Sequence, residues 1–190
     1  MNKIKSNISY ELKNINDAMN IFSDHNIKIF YKLIKESKSK INKKKIIFCG
    51  NGGSASHAQH LACELVVRYK VNRKAISAIS LTTDTSNLTA IGNDFGYAEI
   101  FRRQVEALAL PGDTLIGIST GGSSMNVINA LNIASTMKCK TIGLSGKDGG
   151  EFNNICDVNI VVEAQDTARI QEMHILIGHT ICHLIDQAFI

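Results

Sequence analysis

The fold is decided by the stretch Lys45-Ile46-Ile47-Phe48-Cys49-Gly50-Asn51-Gly52-Gly53-Ser54. A short apolar run that ends in glycine is typical of a buried parallel strand, because such a strand is covered on both faces. The glycine-rich turn behind it opens a segment, 54–69, in which apolar residues recur at helical spacing. The stretch therefore predicts a strand, a tight turn and a helix, which is the unit of Rossmann-like sheets.

Four further apolar runs repeat this strand pattern, and helical patterns lie between them. The predicted strands are 45–50, 75–81, 113–119, 140–146 and 157–163. The predicted helices that follow the first one are 97–109, 123–137 and 167–188. Strands that alternate with helices imply right-handed crossovers and one parallel sheet with helices on both faces. We therefore expect an α/β fold, a Rossmann-like three-layer sandwich around a five-stranded parallel sheet.

The N-terminal quarter has a different pattern. Apolar residues recur at helical spacing from Ile8 to Ile34, which predicts one or two amphipathic helices. We expect a single domain over 1–190, with 1–44 as a helical extension that packs on the domain or on a neighbouring subunit. Lysines crowd 28–45, and a solvated helix face is the preferred interpretation, with an anionic partner as the alternative.

Composition excludes several classes of protein. The net charge of +4 is too weak to indicate nucleic-acid binding. The N-terminus lacks the apolar run of a signal peptide, and no stretch approaches the roughly 18 apolar residues of a membrane span. The five cysteines are spread singly and are odd in number, so reduced thiols in a cytoplasm are expected rather than a disulfide framework.

Two loops rich in glycine and serine follow the predicted first and third strands. We call 50–54 the first glycine loop and 119–124, Ser-Thr-Gly-Gly-Ser-Ser, the second glycine loop. Backbone N–H groups, a helix N-terminus and hydroxyls at that edge of a parallel sheet favour a bound anion such as phosphate. Neither loop has Walker A or dinucleotide spacing. The alternative is a pair of tight turns in which Ser54 and Ser123 cap the helices.

Polar residues at helical spacing follow the first glycine loop and recur near the C-terminus. His60 and Glu64 are four residues apart and share one helix face. The last helix adds Gln171, His174, His179 and His183. An imidazole and a carboxylate facing a second helix with histidines suit either a divalent metal or an acid–base pair.

Simpler interpretations apply to several of these histidines. His57 is expected to be solvated, His174 to be a core histidine and His183 to lie on the surface. Gln171 and His179 are eight residues apart, about 12 Å of helix rise. They can share one small site only by reaching toward each other or by coming from different chains, which favours a site at a subunit interface.

Together these motifs resemble the sugar isomerase (SIS) domain family, and within it the phosphoheptose isomerases. The resemblance covers nearly the whole chain. It is carried by Cys49–Ser54, by His60 with Glu64, by Gly92-Asn93-Asp94-Phe95-Gly96, by 118–124, by Ser145–Gly150 and by Ala168–His174. It implies an aldose–ketose isomerase that converts sedoheptulose 7-phosphate to D-glycero-D-manno-heptose 7-phosphate, for the heptose of lipopolysaccharide or capsule. It also implies a cytoplasmic homotetramer with interfacial active sites.

The resemblance also implies a set of site residues. Glu64 and His179 would be catalytic, and zinc, one ion per subunit, would be bound by His60, Glu64, Gln171 and His179. The substrate contacts would be Asn51, Gly52, Gly53, Ser54, Glu64, Asn93, Asp94, Ser119, Thr120, Gly121, Ser124 and Gln171. The chain departs from the family at Gly121, where a serine is usual, so phosphate affinity is the property most affected.

Other functions stay open at this point. A non-catalytic member of the family binds the replication initiator protein as a tetramer, but such proteins lack the Glu64 and His179 equivalents. A sugar-phosphate sensor would normally carry a DNA-binding region, and 1–44 shows no helix-turn-helix. An isomerase for another sugar phosphate would have the same loops.

Overall fold

The first strand, β1 (Ile46–Gly50), is buried along its whole length. Its side chains alternate between two separate cores: Ile46 and Phe48 face one, and Ile47 and Cys49 face the other. This alternation is what a strand at the centre of a three-layer sandwich requires, because each face of the sheet is covered by helices. The computed structural model describes residues 2–21 and 44–188, so the predicted helix around Ile27–Ile34 and the lysines of 28–43 lie outside the described residues.

The other described strands complete a parallel sheet. They are β2 (Ala78–Ser80), β3 (Thr114–Ser119), β4 (Lys140–Gly146) and β5 (Val158–Val162). The order across the sheet is β2-β1-β3-β4-β5, and every neighbouring pair is parallel. The predicted α/β class and five-stranded parallel sheet are therefore confirmed.

Seven α-helices lie in the described part of the chain. They are α1 (Asn2–Ile21), α2 (Gly53–Val66), α3 (Thr85–Phe95), α4 (Arg102–Leu108), α5 (Met125–Thr136), α6 (Phe152–Ile155) and α7 (Thr167–Ala188). Residues of α2 and α7 pack in the core on one side of the sheet, and residues of α4 and α5 pack in the core on the other. Within 2–21 and 44–188, no helix combines the length and the apolar character that a bilayer crossing requires.

Two sequence-based elements had the wrong extent, and one helix was not predicted. The strand predicted over 75–81 is only Ala78–Ser80, since it lies at the edge of the sheet and pairs with β1 alone. The helix predicted over 97–109 is a 3₁₀ turn, Tyr97–Glu99, followed by α4. Helix α3 was missed altogether, although Asp84 caps it by accepting the backbone N–H of Asn87.

The first helix packs against the last. Arg169 of α7 donates to Glu11 of α1, with Nη1 and Oε2 2.7 Å apart, and Arg169 also binds Glu172 on its own helix. The α1 surface keeps Ile8, Tyr10 and Leu12 more than half exposed. The N-terminal helix therefore touches this domain and still presents apolar side chains.

Candidate active site

The two glycine loops lie side by side. They follow β1 and β3, which are neighbours in the sheet, and strand order reverses between these two strands. In parallel sheets, ligands bind in the crevice at such a switch point, because the connections that follow the two strands leave it in opposite directions. The loop pair therefore occupies the position that the fold favours for a ligand.

The first glycine loop turns the chain directly into α2. Gly52 has a φ of +54°, a value that residues with a side chain rarely adopt. It occupies the N-cap position of α2, so no side chain caps this helix. Ser54 is buried in the first turn and does not cap the helix. The helix N-terminus is thus left to its backbone N–H groups, which suits an anion.

The second glycine loop packs against the segment after β4. A side chain at Gly122, whose φ is +60°, would collide with the carbonyl of Gly149, and one at Gly150 would collide with the carbonyl of Gly121. Ser124 precedes α5, but its hydroxyl pairs with Ser119 Oγ at 3.0 Å instead of capping the helix. The alternative of Ser54 and Ser123 as helix caps was wrong: Gly52 and Ser124 occupy the cap positions.

A side-chain network joins the two loops. The amides of Asn51 and Asn126 exchange two hydrogen bonds, of 2.9 and 2.8 Å, and the Tyr97 hydroxyl donates to Asn51 Oδ1 at 2.9 Å. Asn126 is buried in the first turn of α5. Asn51 is therefore committed to holding the loops together, and neither Asn126 nor Tyr97 was predicted from the sequence.

His60, Glu64 and His179 form one cluster. The Nε2 atoms of His60 and His179 are 3.0 Å apart, and His60 Nε2 lies 3.4 Å from Glu64 Oε1. His60 is exposed, while Glu64 and His179 are half-buried. In the part of the chain that the structure describes, this is the one group of three or more His, Cys, Asp and Glu side chains whose possible ligand atoms lie within 4.8 Å of one another. The cluster is open to solvent and combines two imidazoles with one carboxylate.

Close packing of α2 on α7 brings these side chains together. A Cβ added at Gly178 would lie 2.5 Å from Leu61 Cδ2, and one at Gly53 would lie 2.7 Å from Gln171 Oε1. The two glycines let the helices approach at two levels and fix their register. His60 and Glu64, one turn apart on α2, then face His179 one residue beyond Gly178.

Other predicted site residues lie elsewhere in the single chain. The Gln171 amide is beside Gly53 at the first glycine loop, and Gly53 precedes His60 by seven residues, about 10 Å of helix. Asn93 and Asp94 lie exposed at the end of α3, where the Asn93 amide donates to Asp94 Oδ1 at 2.8 Å. Thr120 is half-buried in the second glycine loop. The chain alone does not bring Gln171 to the His60–Glu64–His179 cluster.

Three further histidines differ from one another. His174 is fully buried and pairs its Nε2 with the Ser145 carbonyl at 2.9 Å, so its assignment to the core is confirmed. Burial lowers its pKa to about 4. His57 and His183 are half-buried, and the buried Nδ1 of each has no hydrogen-bond partner among residues 2–21 and 44–188, so the prediction that they are solvated or on the surface was wrong. Burial, and then the nearby His60 and His179, lower the pKa of His57.

The cluster suits a zinc ion in its donors and its dimensions. Catalytic zinc sites commonly have three protein ligands of this kind and an open fourth position. With bonds of about 2.0–2.1 Å, the ligand atoms of a tetrahedral zinc lie about 3.3 Å apart. The separations of 3.0 and 3.4 Å match that spacing.

Known proteins share both the sequence and the fold. The SIS domain family model matches residues 11–146. The phosphoheptose isomerase of Aliarcobacter butzleri is 64% identical over 145 residues, 76% of this chain and 77% of that protein. The structure of phosphoheptose isomerase from Neisseria gonorrhoeae superposes with a TM-score of 0.84 at 39% identity, covering 98% of both chains. That from Francisella tularensis gives 0.86 at 34% identity, covering 98% of this chain and 97% of the other. The chain therefore belongs to the SIS domain family and, within it, to the phosphoheptose isomerases.

Proposed function

We propose that this chain interconverts sedoheptulose 7-phosphate and D-glycero-D-manno-heptose 7-phosphate. One observation carries the proposal: the Glu64 carboxylate, on the helix that begins at the first glycine loop, meets the His179 imidazole of the facing helix α7. A phosphate held at the start of α2 leaves a seven-carbon sugar extended along the helix toward this cluster. The relatives named phosphoheptose isomerase support the same assignment.

Phosphate binding is assigned to the two glycine loops. The loops offer backbone N–H groups at Gly52, Gly53 and Gly121, and the hydroxyls of Ser54, Ser119, Thr120 and Ser124. Support comes from the start of α2, which has no side-chain cap, and from Ser124, whose hydroxyl is not used as a cap. Asn51 contributes by joining the loops, and Asn93 and Asp94 would contact sugar hydroxyls from the end of α3.

Aldose–ketose interconversion moves a proton between adjacent carbons through an enediol. Glu64 takes the proton from the carbon, and His179 exchanges a proton with the sugar oxygens from the facing helix. The two side chains already lie in one cluster, which is the geometry that general acid–base catalysis needs. Each group therefore acts on a different atom of the same short segment of sugar.

Zinc, one ion per subunit, would be held by His60, Glu64 and His179. When bound, the ion would polarise the sugar carbonyl and stabilise negative charge on its oxygen. A carboxylate firmly bound to zinc is a poor base. Glu64 must therefore dissociate from the ion during turnover, or the ion must mainly hold the side chains of the site in place. Gln171, the fourth proposed ligand, would have to reach the ion from a neighbouring copy of the chain.

A homotetramer with interfacial sites completes the proposal. The exposed apolar side chains of α1, together with exposed Leu176 on α7, offer surface for contacts between copies. The position of Gln171, about 10 Å along the helix from the cluster, is the second support. The five unpaired cysteines fit the reducing cytoplasm, where heptose precursors for lipopolysaccharide or capsule would be made.

The proposal is tested by following sedoheptulose 7-phosphate by NMR, with and without a chelator. We expect an aldose heptose phosphate to appear, and chelation to slow its formation. The Glu64→Gln variant should lose nearly all turnover, at least about a thousandfold, while it still binds the substrate. Absence of aldose under both conditions would defeat the isomerase proposal. Retention of most activity by Glu64→Gln would remove Glu64 from the role of base.

A further inference from the structure

The segment after α2 turns back and lays an aromatic ring against the cluster. The Tyr69 ring stacks on the imidazole of His179, with ring centroids 5.4 Å apart and an angle of 24° between the planes. His179 also meets His60 edge-on, at 5.1 Å and 68°. The His179 ring thus has an aromatic neighbour on its face and a second ring at an edge, which together restrict its rotation.

Tyr69 is held in place by a buried ion pair. Asp186, which is fully buried on α7, accepts the backbone N–H groups of Lys70 and Val71 at 2.7 and 3.0 Å. Its other oxygen binds Arg73 Nε at 2.7 Å. The backbone N–H groups of the two residues that follow Tyr69 are therefore bonded to the helix that carries His179. Asp186 follows His179 by seven residues, which is two turns, so both lie on one face of α7.

The same arginine fixes the end of α2. Arg73 donates to the carbonyls of Glu64 and Leu65, at 3.1 and 2.9 Å. These carbonyls belong to the last turn of the helix and have no partner within it, and a cation suits that negative end of the helix dipole. Arg73 thus ties the turn that carries Glu64 to the helix that carries His179.

From these contacts we infer that Tyr69 is a positioning residue for His179, held by the Arg73–Asp186 ion pair. The inference rests on the proposed function in that His179 is the acid–base group there. The Tyr69 ring sets the plane of the imidazole so that one nitrogen faces Glu64 and His60. The hydroxyl has no part in this, because stacking depends on the face of the ring.

The test compares two substitutions of Tyr69 in the full chain. Tyr69→Phe keeps the ring and should hold both kcat and KM within twofold of the parent. Tyr69→Leu keeps apolar bulk without a ring and should lower kcat at least tenfold, with KM changed less than threefold. A positioning role moves kcat and not KM, whereas general damage to the fold would move both and would lower Tm. Equal kcat in the parent and Tyr69→Leu overturns the inference, as does a loss in Tyr69→Phe as large as that in Tyr69→Leu.

A second measurement needs no substrate. In protein that carries isotope-labelled histidine, NMR should show the ring protons of His179 shifted upfield in the parent and in Tyr69→Phe, because these protons lie over an aromatic face. The same signals should move downfield in Tyr69→Leu. The His179→Gln variant assigns the signal. An unchanged signal in Tyr69→Leu overturns the inference whatever the enzyme's activity. An inactive parent with the upfield signal would instead defeat the isomerase proposal and leave the stacking established.

Discussion

At the scale of single residues, Gly121 is the most informative departure from the family pattern. A Cβ added there would meet only Ser123 Oγ, at 3.5 Å, which is ordinary van der Waals contact. Gly121 is also not among the glycines with a positive φ. We expect Gly121→Ser to fold normally and to lower KM for the sugar phosphate about tenfold, since a hydrogen bond to a charged group contributes about 1.5 kcal/mol or more.

The neighbouring glycine supplies the matched control for this variant. Gly122→Ser adds the same hydroxyl one residue later, but at a φ of +60° and against the Gly149 carbonyl. It should lower Tm and weaken binding, because the second glycine loop must move away from the segment that holds Gly149. Steady-state kinetics and thermal unfolding of both variants measure these effects on KM and Tm. A higher KM in Gly121→Ser would contradict a phosphate site at this loop.

At the scale of helices and strands, the contact between α2 and α7 determines the cluster. Gly178→Ala places a methyl group 2.5 Å from Leu61, which is itself almost fully buried. Overpacking of this kind costs about 1–3 kcal/mol, more than the roughly 1 kcal/mol that alanine gains over glycine in a helix. We expect a lower Tm and a lower kcat, because the His60–His179 distance depends on the approach of the two helices.

The chain offers both a control and a rescue for that prediction. Gly92→Ala, on α3, meets only Ile100 at 3.8 Å and should stabilise the protein slightly through helix propensity alone. In the Gly178→Ala background, Leu61→Val should recover part of the lost kcat and Tm by making room. If Gly178→Ala behaves like Gly92→Ala, the close approach of the helices does not hold the cluster.

Sequence patterns predicted the elements whose signal is local. All five strands and α2, α5 and α7 were placed to within a few residues, because apolar periodicity and glycine turns mark them. Helix α3 was missed because Thr85-Ser86-Asn87 are poor helix formers that also favour turns, and only the Asp84 cap indicated the start. The strand predicted over 75–81 was too long, chiefly at its start, because its length is set by pairing with β1, which no local pattern contains.

The residues of the candidate site also fall into those that a local pattern predicts and those that depend on tertiary contacts. His60 and Glu64 were predicted from their spacing on one helix, and His179 joined them through the family resemblance. Tyr69 and Asn126 were not predicted, because their roles depend on how 67–73 turns back and on which loops become neighbours. His174 was correctly assigned to the core, whereas the burial of His57 and His183 depends on packing and both were assigned wrongly.

At the scale of the whole molecule, buried His174 makes stability depend on pH. Its pKa of about 4 lies below the ordinary value near 6.5, so the unfolded chain takes up the proton first as pH falls. Stability is therefore complete above about pH 6.5 and declines toward pH 4, by about 2 kcal/mol at pH 5. Urea unfolding at pH 7.5 and pH 5 should show this loss, and His174→Gln should reduce it. An equal loss in the variant would assign the pH dependence to other groups.

The order of strands also has a consequence for the chain during its synthesis. β1 begins at Ile46 and pairs with β3. Thr114, the residue of β3 opposite Ile46, lies 68 residues later in the chain (114 − 46). At about 5–20 residues per second, the ribosome needs roughly 3 to 14 seconds to make that partner. For that interval the apolar run Ile46-Ile47-Phe48-Cys49 has at least one edge without a partner, which is the state in which strands of different chains associate. This inner strand of the finished sheet is thus the segment of the nascent chain most in need of protection by a chaperone.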